Sequence, residues 1–275
     1  MSFVTKVLPG EPDSVSPGGG AEIRHIITSP PGDLTHAVCP AGYVAPTHHL
    51  PELDELYYVL AGEGEIWRET DARAGVTALR PGRWVQLPAG MRFQYRANCG
   101  SSLVFLVVVL PSWRPDLFHT LPEGLWPAGA DDQAPPTSPA DLVDHWMSGD
   151  LPWLPDDLAL DGSEIRSLGS FDRGGLAHCS LRAGSTSRAV RHSTVSQIWY
   201  VIDGHGEMWR AAPDGDEEIV PLRGGIGIDI PAGTSFQFRA TGVDPLRVVV
   251  LTMPRWPGPS EAVPVPGPWN GSTEL

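Results

Sequence analysis

Residues 55–68 read ELYYVLAGEGEIWR, and residues 197–210 read QIWYVIDGHGEMWR. The two stretches match in register, Gly62 and Gly64 against Gly204 and Gly206, Glu65 against Glu207, Arg68 against Arg210. Each reads as two short strands joined by a tight turn. Apolar residues dominate both arms, and glycine supplies the positive φ that a short hairpin needs.

Outward from this hairpin the repetition continues. AEIRHI at Ala21 returns as SEIRSL at Ser163, and LTHAVCPAG at Leu34 returns as LAHCSLRAG at Leu176, both 142 residues later. From LRPG at Leu79 and LRGG at Leu222 the offset is 143; LPAGMRFQYR then matches IPAGTSFQFR, and Trp113 and Trp126 match Trp256 and Trp269. The one extra residue falls in the polar stretch after EMWR, where a hairpin loop absorbs it at little cost. The repeat divides the chain into a flexible N-terminal arm (1–20), a first domain (21–126), a linker (127–162), a second domain (163–270) and a C-terminal tail (271–275). Within the linker, SPADLVDHWM predicts a short helix near Pro139 to Met147, with Ser138 as N-cap.

With Gly 31 and Pro 29 in 275 residues, and runs of five to eight alternating residues between turns, each copy predicts an antiparallel barrel. The expected class is all-β, two antiparallel jelly-roll barrels from an internal duplication. A net charge of −14 argues against a nucleic-acid backbone or an anionic membrane as partner. Cys39, Cys99 and Cys179 form no CxxC pair, and their odd number argues against a disulfide framework. The N-terminus has no apolar core of a secretory signal, and the most apolar run, LVFLVVVL, is too short to span a bilayer. A cytoplasmic protein, monomeric or homodimeric, is expected. No nucleophile elbow, phosphate loop, HExxH or dinucleotide fingerprint occurs.

The glycine and proline framework resembles that of the cupin superfamily, and the repeat makes the chain resemble a bicupin. Gly42, His48, Glu55 and Gly62 fall on the first cupin motif, and Gly82, Pro88 and Gly90 on the second. In the second copy Gly184, His192 and Gly204, then Gly225, Pro231 and Gly233, do the same. The resemblance implies a metal held by three histidines and one carboxylate. Here the other histidine positions are Leu50 and Phe93 in the first copy and Val190 and Phe236 in the second; Gln197 replaces the carboxylate. Two protein ligands seldom hold a transition metal tightly. No cofactor is therefore expected; the alternative is a divalent metal on His48 and Glu55.

Strand alternation directs residues 48, 50, 55, 57, 93 and 95 to one interior, and 190, 192, 197, 199, 236 and 238 to the other. His48, Glu55 and Tyr57 are the candidate catalytic residues. His36, Gln86, Phe93, Tyr95, His192, Gln197 and Trp199 are candidates for holding a small, apolar or aromatic substrate. A glutamate among aromatic rings has its ionised form disfavoured, which raises its pKa toward acid–base use. His36 and its counterpart His178 also admit a purely structural reading. Glu65 with Arg68, and Glu207 with Arg210, are expected as framework ion pairs or solvated charges. Three functions fit. The first is a metal-independent cyclase, isomerase or dehydratase of specialised metabolism acting in the first barrel, on an aromatic or polyketide-like molecule. The others are a metal-dependent cupin oxygenase or isomerase, and a non-catalytic small-molecule binder.

Overall fold

The computed structural model describes residues 3–17, 20–129 and 135–272. Parts of the predicted arm, linker and tail, namely 1–2, 18–19, 130–134 and 273–275, lie outside the described residues. The chain divides into two compact units, one of residues 9–150 and one of residues 1–8 with 151–275.

The unit 9–150 is built from two antiparallel sheets. One runs, in spatial order, Ser148–Asp150, Arg83–Leu87, Asp54–Ala61, Leu103–Leu110, Gly32–Cys39, Glu22–Ser29, Ser14–Val15. The other runs His119–Leu121, Thr47–His49, Arg92–Ala97, Gly64–Thr70, Arg73–Leu79. In the other unit the order is Thr5–Val7, Ile226–Ile230, Ser196–Asp203, Leu246–Met253, Gly174–Leu181, Glu164–Phe171, Asp157–Leu158, against Glu217–Arg223, His205–Ala211, Ser235–Ala240, Val190–His192, Ala262–Pro264. Non-sequential neighbours in both sheets are the mark of a jelly roll, and all the pairings between named strands are antiparallel. The extra residue of the second copy sits in the loop between Ala211 and Glu217.

Alternate residues of each strand fill the space between the sheets. In the first unit that core includes Leu50, Tyr57, Val85, Leu87, Phe93, Tyr95 and Phe105; in the second, Val190, Trp199, Ile228, Ile230, Phe236 and Phe238. The hairpin glycines are forced by close approach. A Cβ on Gly62 would lie 2.0 Å from the Ser102 carbonyl oxygen, and one on Gly204 would lie 2.4 Å from that of Pro245.

The two copies also share a polar frame. Gln94 donates to the Ala45 and Trp126 carbonyls at 2.9 and 2.8 Å and accepts from the Trp126 amide. Gln237 repeats this with Ser187 and Trp269. The expected ion pairs are redrawn: Glu65 takes Arg96, not Arg68, and Glu207 takes Arg239, not Arg210. Both arginines stack on the tryptophan that the glutamine holds, Arg96 on Trp126 and Arg239 on Trp269. Arg68 donates instead to Thr77, Ser148 and the Met147 carbonyl, while Arg210 takes Glu218 and Asp229.

Three predicted segments differ. The helix near Pro139 to Met147 is a single 3-10 turn, Pro139–Asp141, and Ser138 makes no side-chain cap bond. Leu142 is extended and the Val143 amide donates to the Val76 carbonyl, so an open sheet edge claims the backbone that a helix would have used. The predicted linker supplies a strand to each unit, Ser148–Asp150 on Arg83–Leu87 and Asp157–Leu158 on Glu164–Phe171. The predicted flexible arm is also paired: Ser14–Val15 joins Glu22–Ser29, and Thr5–Val7 joins Ile226–Ile230. Thr5–Val7 thus takes the edge position in the second unit that Ser148–Asp150 takes in the first.

Candidate active site

In the first unit, the strand Asp54–Ala61 aims Glu55 and Tyr57 inward. Glu55 pairs across to Leu87 on one side and Val109 on the other, both core residues. On the opposite sheet Phe93 pairs with His48, and Tyr95 with Ile66. All six positions expected to face this interior, His48, Leu50, Glu55, Tyr57, Phe93 and Tyr95, are buried.

Aromatic rings connect them. His48 meets Phe93, Tyr95 and Phe118 edge-on, with centroids 5.2, 5.6 and 4.8 Å away. Tyr57 meets Phe93, Tyr95 and Phe105 at 6.0, 6.3 and 5.0 Å. Tyr57 acts on the Glu55 carboxyl, favouring its ionised form, and the Tyr95 hydroxyl bonds Ser16. Within this shell, Glu55 Oε2 and His48 Nε2 are buried and have no hydrogen-bond partner. Buried polar atoms are almost always paired, so two orphans in one interior mark a place where something else bonds.

The electrostatics follow from the burial. Desolvation pushes the Glu55 carboxyl up to about 7, with the Tyr57 hydrogen bond pulling the other way. Desolvation pushes His48 down to about 4, so its imidazole is neutral near pH 7. Tyr57 and Tyr95 are held well above the usual phenol range by burial and stay protonated. The interior therefore offers one carboxyl that changes state near neutrality, beside groups that do not.

Two predicted residues do not join this set. His36 lies between Thr35 and Ala37 on a strand whose Ala37 and Cys39 face the core, so it faces the other side, opposite Arg24. Burial, then Arg24, push it down to about 4. Gln86 sits between the core residues Val85 and Leu87 and is turned outward as well, beside Leu56. In the second unit, His192, Gln197 and Trp199 do face the interior, but Gln197 and Trp199 bond each other. The Trp199 indole donates to Gln197 Oε1 at 2.9 Å, and Gln197 Nε2 donates to Thr252 Oγ1 at 3.1 Å. Sequence reasoning missed Phe118, Ser16 and Thr252. Thr252 carried a usable signal, since it is a polar residue at the end of an apolar run whose first-copy counterpart is Val109.

No protein-family model matches the chain, and no curated protein matches it. Solved structures do. A tryptophan-to-tyrosine variant of oxalate decarboxylase from Bacillus subtilis matches with a TM-score of 0.73 at 13% identity, over 96% of this chain and 80% of that chain. Oxalate decarboxylase from Bacillus subtilis at pH 4.6 matches with 0.73 at 13%, over 96% and 79%. A structure described for an element that modulates proton-coupled electron transfer in oxalate decarboxylase matches with 0.73 at 14%, over 96% and 80%. The likeness is one of fold, and the fold is that of a two-domain cupin.

The expectation that no cofactor is involved is corrected by these likenesses. The chain shares its fold with oxalate decarboxylases, which are manganese-dependent, so a metal is what these structural neighbours suggest. The residues present do not fit that group. His48 and Glu55 face the first interior, yet Leu50 and Phe93 fill the other ligand positions, and among the described residues no three His, Cys, Asp or Glu side chains converge.

Proposed function

We propose that the chain is an enzyme of specialised metabolism that moves protons within a small apolar substrate, of cyclase, isomerase or dehydratase type, in the first unit. The single observation that carries this reading is the pair of orphaned buried atoms, Glu55 Oε2 and His48 Nε2, inside an aromatic shell. An aromatic or polyketide-like molecule suits that shell, because flat rings pack against the edges of Tyr57, Phe93 and Tyr95.

In this reading Glu55, when ionised, takes a proton from a carbon beside a carbonyl. Its pKa near 7 makes it strong enough to accept the proton and weak enough to return it at another atom. The Tyr57 hydroxyl orients the carboxyl. Neutral His48 hydrogen-bonds the substrate oxygen on which charge builds. In a dehydration the returned proton goes to the departing hydroxyl. No step is routed through a metal. A cytoplasmic monomer or homodimer is the setting proposed; no helix among the described residues is long and apolar enough to cross a membrane.

The test has two parts. Carbon-13 NMR of the Glu carboxyls in the full chain should show one titrating near 7 that disappears in Glu55→Gln. Aryl ketones and 1,3-diketones in D2O should exchange their α-hydrogens faster with the protein than in buffer, with the gain lost in the variant. Saturable binding without exchange would make the first unit a binding module instead. A Glu55 titrating in the ordinary carboxylate range would remove the proposal.

A further inference from the structure

The second unit carries a different pair of orphans. His192 Nδ1 and Thr234 Oγ1 are both buried and have no hydrogen-bond partner. They belong to one rung of one sheet. Val190 pairs with Phe236 and Arg191 with Ser235, and the Gly233 amide donates to the His192 carbonyl at 2.8 Å, which sets His192 opposite Thr234. Val190 and Phe236 face the core, so residues two further along each strand face the same side. In the first unit the Gly90 amide donates in the same way to the Leu50 carbonyl, but the side chains on that rung are Leu50 and Met91, both buried and apolar. The frame does not require polar groups there, and the second copy has placed two.

We propose that the His192–Thr234 rung is a binding site in its own right, for a neutral aromatic molecule bearing a hydroxyl or carbonyl group. The walls are aromatic: the His192 ring meets Phe236 and Trp256 edge-on, each with its centroid 5.0 Å away. Trp256 is 39% exposed, so one wall of the site faces solvent, while Thr234 at 0% marks its floor. The two free polar atoms would bond one oxygen of the ligand, since a hydroxyl or carbonyl can satisfy a neutral imidazole and an alcohol together. The charge of the ligand follows from Glu261. Its carboxylate is held by the Thr194 and Val195 amides and the Thr194 hydroxyl, and its charge acts on His192. A fixed negative charge beside a desolvated site excludes an anion. The proposal stands apart from the acid–base reading of the first unit and uses none of its residues.

The probe is phenol, with benzoate as its anionic counterpart, followed through the nitrogen-15 signals of His192 in the full-length protein. His192 is assigned from the signals missing in His192→Leu. Expected is a saturable shift with phenol and none with benzoate. Thr234→Val should weaken phenol binding about ten-fold, the worth of one hydrogen bond in a dry site. Thr234→Met, which copies the first unit, should abolish it. Thermal melts check that each variant is folded, and Thr234→Val, being isosteric, keeps the test open if the larger change unfolds the unit. A His192 signal unmoved by phenol, an unchanged affinity in folded Thr234→Val, or equal binding of benzoate would each overturn the proposal and leave the pair as one satisfied by an ordered water.

Discussion

At the centre of each unit a strand presents two residues inward, Glu55 and Tyr57 in one, Gln197 and Trp199 in the other. In the second, the indole, the amide and the Thr252 hydroxyl form a closed chain of hydrogen bonds. In the first, the third partner is Val109, and the chain stops at a carboxyl oxygen that bonds nothing. At this one site, a methyl-for-hydroxyl difference on a strand far away in sequence, beside the exchanges of Glu55 for Gln197 and Tyr57 for Trp199, separates a satisfied polar chain from an open one. A finished polar network favours a single rigid arrangement; an unfinished one is costly to bury and persists where something else completes it. The duplicated frame, with its glycine hairpins, Gln94 and Gln237 clamps and stacked arginines, lets two interiors diverge without disturbing the fold around them.

The largest effect that tests this contrast is on turnover. Glu55→Gln gives the first unit the residue of the second and should lower proton exchange in a responsive substrate by roughly 10²–10⁴-fold, the usual worth of a positioned acid–base group. Gln197→Ala should leave that rate close to wild type; an equal loss in both variants would collapse the distinction between the units.

Next in size is a pH effect on stability. The folded state raises Glu55 from 4.5 to about 7, so it binds that proton more tightly than the unfolded chain does. Stability is therefore lost as pH rises from 4.5 through 7, by about 3 kcal/mol for a shift of this size. The buried histidines His36, His48, His178 and His192, pushed down to about 4, act in the opposite sense and lose stability as pH falls from 6.5. They are common to wild type and Glu55→Gln and cancel in the difference. Denaturant titrations of the two proteins should show the variant gaining on wild type as pH is raised. A constant gap would mean that Glu55 is not the group responsible.

Gln197→Ala comes third. It strands the Trp199 indole and the Thr252 hydroxyl and should cost about 1–3 kcal/mol of stability in the same titration, the penalty for buried polar groups left unpaired. Smallest is Val109→Thr, which offers Glu55 Oε2 a donor. It should lower the Glu55 pKa by about one unit, read by carbon-13 NMR, because one added hydrogen bond to the ionised form has that value. An unmoved pKa would show that Thr252 is not what distinguishes the two interiors.

The repeat, the turn glycines and the inward parity of His48, Glu55 and Tyr57 were legible because each is a local pattern. Alternation sets which way a side chain points, and the offset of 142 fixes its counterpart. What was hidden is pairing at a distance. Glu65 and Arg68 lie three apart in the chain, but Glu65 meets Arg96 from the neighbouring strand, because the sheet sets Glu65 beside Arg96 and carries Arg68 to a rung with Phe93. His36 and Gln86 do not face the first interior because their own neighbours, Ala37, Val85 and Leu87, already take the inward places. The apolar run around Val109 and Thr252 announced a buried strand but not that its last polar position would close one site and leave the other open.

The strand Thr5–Val7 has a consequence for how the protein is made. Its amide neighbour Val4 bonds Asp229, 225 residues away, and Thr5 itself lies against Ile228. At the ordinary pace of synthesis, about 5–20 residues per second, these first residues leave the ribosome roughly 10–45 s before their partners exist. The unit 9–150 is complete in that interval, while the opening strand waits unpaired. The second unit cannot close until Ile226–Ile230 has been made. A nascent chain halted before Ile226 should therefore leave residues 3–8 open to proteolysis, whereas release of the full chain should protect them.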